Sequence, residues 1–314
     1  MAVYYAVDIG GTKVEVALGD EKGNLLATER VKTPELGQGE QVLDGVADML
    51  RALPGGGEAV AVGIASPGPL DSRAGRVLNP ANLPGWHQLP LTAGLSRRLG
   101  IPAYLENDAT AAGIGEWRWG AGRGTRHMIY VTVSTGVGSG IIADGRVLRG
   151  RGDNAGEIGH VVIDPEGEPC HCGLIGCLET VCSGTSIGRH GEQRRAESPL
   201  LNAVRGPVTA PDVFLAYEAG DPVATQIVGE VTHWLAWAFG TLINLFNTER
   251  IIVGGGVSVN GDVLLNPIRR ELPRFAMPDL LTGVEVREAA LGPDVGVKGA
   301  VAVALTRHAH RAEH

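Results

Sequence analysis

Residues 3 to 20 read VYYAVDIGGTKVEVALGD, two β-rich runs joined by a glycine turn, with Asp8 near the end of the first run. Alternating and β-branched residues on both sides of the turn predict a strand pair, and NLLATERVKT (24 to 33) adds a third strand to an antiparallel meander. A helix follows over about 39 to 53, stopped by Pro54 and Gly55-Gly56-Gly57; AVAVGIA (59 to 65) then has the continuous apolar character of a strand covered on both faces. The same order starts again at HMIYVTVSTGVGSGIIADG (127 to 145) and returns to a buried strand at RIIVGGG (250 to 256). The chain therefore reads as an internally duplicated α/β protein, repeated in its order of elements rather than in its residues.

A length of 314 residues favours two domains. The net charge of −8 argues against a polyanionic partner, so nucleic acid is not expected. Neither a secretory leader nor an apolar run of spanning length is present, and this reading expects a cytoplasmic protein without membrane contact. The stretch 222 to 247 reads as a long helix whose Leu235, Phe239, Leu242 and Phe246 belong to the core, and a shorter helix near 296 to 307 closes the fold. His308, His310 and His314 beyond it are expected on a solvated terminus.

Two glycine turns, DIGGTK (8 to 13) and STGVGSG (134 to 140), each link strand to strand. Glycine permits close approach and positive φ, so successive N–H groups can face phosphate oxygens; a plain hairpin turn is the simpler alternative for either one alone. Neither turn fits a Walker loop, which needs Gly-Lys-Ser/Thr, or a dinucleotide fingerprint, which must open a helix. Asp8, at the end of a buried strand, could hold Mg²⁺ directly or through water. Gly254, Gly255 and Gly256 offer a further surface for a nucleoside or form an ordinary strand-to-helix turn. In YLENDATAAGIGEW (104 to 117) a short strand runs into an alanine-rich helix; Asn107 or Asp108 can cap that helix, and Asp108 can also serve as a general base.

Three of the four cysteines lie within GEIGHVVIDPEGEPCHCGLIGCLE (156 to 179). In a reducing compartment such a cluster points to metal, and Cys170, Cys172 and Cys177 with His160 would close a tetrahedral structural Zn²⁺ shell. Cys182 competes for a place, but helical geometry turns it about 140° from Cys177. His171, between two ligands, should point away and be exposed. Glu157, His160 and Glu179 supply the mixed donors and acceptors that suit sugar hydroxyls.

The 156 to 179 stretch, with Gly-His ten residues ahead of C-x-C-G-x-x-G-C-x-E, resembles the signature of the ROK family (repressors, open reading frames and sugar kinases). DIGGTK, SPGPL, NLPGW, LENDATAA, STGVGSG and IIVGGG fall in that family's order. The resemblance implies an actin-like, RNase H-like duplicated ATPase fold of two lobes with a sugar and ATP cleft between them. The smaller lobe would span 1 to 118, completed by the helix near 296 to 314, and the larger 119 to 295 with the zinc site. Asp108 would be the catalytic base, and Gly68, Asn82, Asn107, Asp108, Glu157, His160 and Glu179 would contact sugar. Asp8, Gly10, Gly11, Thr12, Lys13, Thr135, Gly136, Val137 and Gly138 would serve ATP and Mg²⁺. His160 would double as a ligand beside Cys170, Cys172 and Cys177. The implied activity is ATP-dependent phosphorylation of a hexose at its 6-hydroxyl. NLPGW and ENDATAA resemble the family's glucokinases more than its acetylhexosamine kinases; N-acetylmannosamine, N-acetylglucosamine, mannose and fructose are the alternatives. A repressor of the family would carry a helix-turn-helix ahead of the core, for which a first strand beginning by residue 3 leaves no room, and intact Asp108 and phosphate turns argue against a non-catalytic sugar binder. A homodimer or homotetramer is implied as well.

Overall fold

The structure is a computed structural model that describes the backbone of residues 2–80 and 82–312 and the side chains among them up to residue 309. The chain divides into two compact units. The first runs through Gly124, takes in Val147–Ala155, and resumes at Ala290; the second comprises Thr125–Arg146 and Gly156–Ala289. The expected division at 118/119 and 295/296 differs from this by a few residues at each crossing. It also misses the excursion 147–155, which buried ionic contacts hold in the first unit.

In the first unit, β1 (Val3–Ile9), β2 (Lys13–Asp20), β3 (Leu25–Lys32), β4 (Ala59–Ser66) and β7 (Ala103–Asn107) form one sheet; β5 (Leu70–Asp71) and β6 (Arg76–Val77) make a separate small ribbon. The order is β3-β2-β1-β4-β7, antiparallel across the first three strands and parallel across the last three. Val3, Tyr5, Val7 and Ile9 of β1 share a core with Leu43, Val46 and Leu50 of α1 (Glu40–Ala52) and Leu91 and Leu95 of α2 (Leu91–Leu99). The C-terminal helix Val295–Ala312 covers β1 and β4 from the other side, which is why these central strands read as unbroken apolar runs. It packs on α3 (Asp108–Trp119), where Gly299 meets the backbone of Ala111 and Ala112 and Gly115 meets Gly299. The alanine and glycine content of α3 is thus a requirement of helix contact.

The second unit repeats the plan. Its strands β8 (Met128–Val133), β9 (Val137–Ala143), β10 (Arg146–Val147), β11 (Arg250–Gly254) and β12 (Glu285–Glu288) are ordered β10-β9-β8-β11-β12, with β8 antiparallel to β9 and parallel to β11. The helix Pro222–Phe246 starts with Asp221 accepting from the amides of Val223 and Ala224 and with Pro222 at its first position; it ends on Asn247 in the left-handed region. Leu235, Phe239 and Leu242 are buried in the core and Phe246 packs against it, as the sequence predicts.

Two expectations are corrected. The last helix reaches Ala312, and His308 is not on a solvated end: its ring stands edge-on to Tyr4 and Tyr104, with centroids 6.5 and 6.4 Å away, because the helix keeps one face on the sheet. The side chains of His310 and His314 lie outside the described residues. The turn in STGVGSG is shorter than read, since β9 begins at Val137 and places Val137 and Gly138 in a strand. Among the described residues no helix is long and apolar enough to cross a membrane.

Glu116 of α3 is fully buried, and its carboxylate accepts from the amides of Ala121, Ala290 and Leu291 at 2.7 to 3.1 Å. These amides belong to the segments through which the chain leaves the first unit and returns to it. Glu116→Ala removes the common acceptor of three amides, and about 1–3 kcal/mol of stability should be lost in urea unfolding. Glu116→Gln should also destabilise, because an amide NH₂ is a donor where only acceptors are wanted. An unchanged unfolding midpoint in Glu116→Ala would remove this role.

Candidate functional site

The two glycine turns are braced in the same way. After β1, Gly10 N–H donates to the Lys13 carbonyl (2.8 Å), while the carbonyls of Gly10 and Thr12 accept from the Thr33 hydroxyl (2.6 Å) and Thr33 amide (3.0 Å). After β8, Ser134 N–H donates to the Gly136 carbonyl (2.8 Å), and the carbonyls of Ser134 and Thr135 accept from the Gly184 amide (2.7 Å) and the Thr185 hydroxyl (2.9 Å). In both turns these carbonyls are occupied from within the unit, while Gly11, Thr12 and Thr135 are exposed. That polarity suits an anion. Thr33 and Thr185 went unread in the sequence, where each is one threonine among many and its partner lies 23 or 50 residues away.

Gly11 is also needed for packing, since a Cβ there would lie 2.9 Å from the Asn82 carbonyl. Asn82 therefore stands beside the first turn through its backbone. The Lys13 ammonium is engaged by Glu15 at 2.9 Å, and Glu15 is gripped by Arg30 as well, so Lys13 stands at the turn as one member of an ionic cluster.

Asp8 and Asp108 face a common problem. Burial first, and the nearby Asp108 carboxylate second, push the Asp8 carboxyl up from 3.8 to about 6. Its oxygens lie against Gly296 at the start of the C-terminal helix, where any side chain would collide with them. Burial likewise pushes Asp108 up, partly opposed by the Ala109 N–H that donates to it at 2.8 Å; solvent access along one side of the residue screens the effect. Two mutually repelling carboxyls in a poorly solvated setting fit a hard divalent cation such as Mg²⁺, which takes oxygen ligands and retains waters. The raised pKa means that ionised Asp8 costs the folded state free energy above pH 6, and the cost fades as the pH falls toward 3.8. Without magnesium or nucleotide, Asp8→Asn should therefore raise stability by roughly 1–3 kcal/mol at pH 7, with the gain gone near pH 4. Thermal melts across that range check it; a lower melting point for the variant at pH 7 would refute burial and carboxylate repulsion as the source of the shift.

Asn107 ends β7 and caps α3, its side chain accepting from the amides of Ala109 (3.0 Å) and Thr110 (3.2 Å). The cap leaves Asn107 its amide nitrogen, and Gly68 lies close by, its open side 4.0 Å from that nitrogen. Asp108 follows at the first position of the helix. One strand-to-helix junction thus presents Asn107 and Asp108 side by side.

In the second unit, Glu157 precedes a single helical turn Ile158–His160, which brings its Oε2 to 4.0 Å from His160 Nε2. Glu179 lies in α4 (Leu178–Cys182), which leads into α5 (Gly184–Gln193). Its Oε2 accepts from the Val137 amide at 2.7 Å, and a Cβ on Gly136 would run into that oxygen. Its Oε1 is 3.1 Å from His171 Nδ1. His171 is exposed as expected, but it turns toward Glu179 rather than away, because a carboxylate and an edge-on His160 ring await it. Gly254 and Gly255 are taken up by contact with Tyr130, Thr132 and Val133 of β8, whereas Gly256 has only Ser134 Oγ near, at 3.9 Å.

The four expected metal ligands converge. Ligand atoms of His160, Cys170, Cys172 and Cys177 all lie within 4.8 Å of one another. Cys170 Sγ is 3.6 Å from His160 Nδ1, and Cys172 Sγ is 3.6 Å from Cys177 Sγ. Zn–S bonds near 2.3 Å give a tetrahedral edge of about 3.8 Å, so the set fits zinc with little adjustment. Burial, then the neighbouring Cys172 and Cys170 sulfurs, push the Cys177 thiol up to about 12; a divalent ion would let all three sulfurs ionise together. Nδ1 is the His160 atom nearest Cys170, and Nε2 lies on the Glu157 side. Cys182 is fully buried with its thiol on the Val231 carbonyl, apart from the group.

Comparison with known proteins agrees with this construction. The chain matches the ROK family over residues 4–307, and it belongs to that family. It is similar to the glucokinase of Thermotoga maritima, 38% identical over 306 residues that cover 96% of each chain. The glucokinase of Halalkalibacterium halodurans is 37% identical over 307 residues, 94% of this chain and 93% of that one. A ROK family glucokinase from Streptomyces griseus, solved in complex with glucose and AMPPNP, superposes with a TM-score of 0.82 at 35% identity, covering 97% of this chain and all of that one. The repeated five-stranded sheets are those of the actin-like ATPase fold.

Proposed function

We propose that the protein is an ATP-dependent hexokinase that transfers the γ-phosphoryl group to the 6-hydroxyl of glucose. The observation that carries this reading is the end-to-end similarity to glucokinases together with a solvent-accessible carboxylate, Asp108, at the β7–α3 junction. The sugar-contacting candidates in the first unit are Gly68, Asn82 and Asn107; those in the second are Glu157, His160 and Glu179. Asp108 would accept the hydroxyl proton as the phosphoryl group moves. The amides of Gly11, Thr12, Thr135 and Gly136 would receive phosphate oxygens, with Val137 and Gly138 behind the second turn and Gly254, Gly255 and Gly256 beside the nucleoside. Asp8 and Lys13 stand beside the first turn, where Mg²⁺ would neutralise phosphate charge. Zinc on His160, Cys170, Cys172 and Cys177 would do no chemistry; those residues would hold His160 Nε2 and the start of α4 in place. A cytoplasmic homodimer or homotetramer completes the reading, and light scattering of the purified chain checks the assembly.

An ADP-release assay over glucose, mannose, fructose, N-acetylglucosamine and N-acetylmannosamine tests the function. Glucose should give the highest kcat/KM. A higher value for an acetylated sugar would change the substrate, and turnover of none would end the kinase reading.

A further inference from the structure

The excursion 147–155 is fastened to the first unit at two buried points. Arg149 directs both Nε (3.0 Å) and Nη2 (2.8 Å) onto Oε2 of Glu106, whose side chain is 1% exposed. Asp153, with a left-handed φ of 59° and a side chain 2% exposed, accepts from Ser72 Oγ at 2.5 Å and lies 3.4 Å from Arg73 Nε. Arg307 of the C-terminal helix reaches the same Ser72 hydroxyl at 3.3 Å. The Ala155 amide donates to the Arg149 carbonyl at 3.1 Å and closes the segment into a loop.

The Glu106 end is the consequential one. Glu106 is paired in register with Ala65 of β4 and immediately precedes Asn107 and Asp108. Arg307 is within electrostatic reach of Glu106 as well, but Arg149 is the cation hydrogen-bonded to it, and a buried carboxylate that loses its hydrogen-bonded countercharge is strongly disfavoured in that position. From this we infer that Arg149 is a positioning residue: through Glu106 it sets the end of β7, and so the aim of Asn107 and Asp108. The inference rests on the kinase reading for its kinetic consequence but not for its structural one. A displacement of the base by about 1 Å is enough to lower turnover by as much as 100-fold.

Two variants test it. With glucose as substrate, Arg149→Met should lower kcat by about 10- to 100-fold and raise the KM for the sugar, leaving the KM for ATP unchanged. Hydrogen exchange at Ala109 and Thr110, whose amides bond Asn107, should accelerate selectively while β8 and β11 stay protected. Arg149→Lys keeps the charge without the fork and should recover part of both. A variant that merely loosens the fold would lower the melting point and leave the kcat of the folded protein unchanged. If Arg149→Met does not fold, Arg149→Lys decides alone through an intermediate kcat and faster exchange. Parental kcat and parental exchange in whichever variant folds would overturn the inference. Absence of turnover in the unaltered protein would instead overturn the kinase reading, with the exchange measurement still deciding the role of Arg149.

Discussion

Asp108→Asn should lower kcat by about 10²- to 10⁴-fold while sugar affinity stays within a few-fold of the parent. The expectation follows from what the substitution keeps. An Asn side chain has the same shape, and its carbonyl oxygen can still accept the Ala109 amide that Asp108 accepts at 2.8 Å. Asn107 still caps α3 through Ala109 and Thr110, so the junction should hold its geometry. What disappears is the basic oxygen. The direction of the Asp108 shift fits the role, since desolvation moves its pKa upward, an effect moderated by the solvent the residue reaches. Turnover measured by ADP release and sugar binding by calorimetry separate the two effects. A variant that keeps more than a tenth of the parent's turnover would remove Asp108 as the base.

Loss of the metal should be the other large effect. Purified protein is expected to hold about one zinc per chain, and Cys172→Ser should hold almost none. Cys172 is the exposed member of the set and its sulfur lies 3.6 Å from that of Cys177, so the serine removes a ligand without opening a core cavity. The consequence should spread beyond the knuckle, because His160 and the start of α4 are both attached to it. A rise in sugar KM of about 10-fold or more and a clear drop in melting temperature are expected, with elemental analysis giving the stoichiometry. A metal-free preparation with full activity and parental stability would sink the assignment.

The pattern of strands and turns was legible because it is written locally. VYYAVDIGGTKVEVALGD encodes a strand pair by its alternation and its glycines, and the second unit repeats those demands at 127 to 145. The His160, Cys170, Cys172 and Cys177 cluster was legible for the same reason: consecutive members are ten residues or fewer apart and can converge if the intervening loop is tight. His308 shows the limit. A histidine near a chain end carries no mark of whether its helix stays on the sheet, and only Tyr4 and Tyr104, 304 and 204 residues earlier, decide it.

By itself the sequence determined the duplicated α/β plan, the first glycine turn, the clustering of His160 with three cysteines and the pairing of Asn107 with Asp108 at one junction, since each depends on dihedral preference, periodicity or short spacing. Tertiary structure alone decided which carbonyls Thr33 and Thr185 would occupy, that Glu179 would bond Val137 and face His171, that Gly296 would close on Asp8, and that Arg149 would reach Glu106. These depend on side chains meeting across long chain separations, where the free energy comes from burial and charge pairing in a particular packing and leaves no local trace in the order of residues.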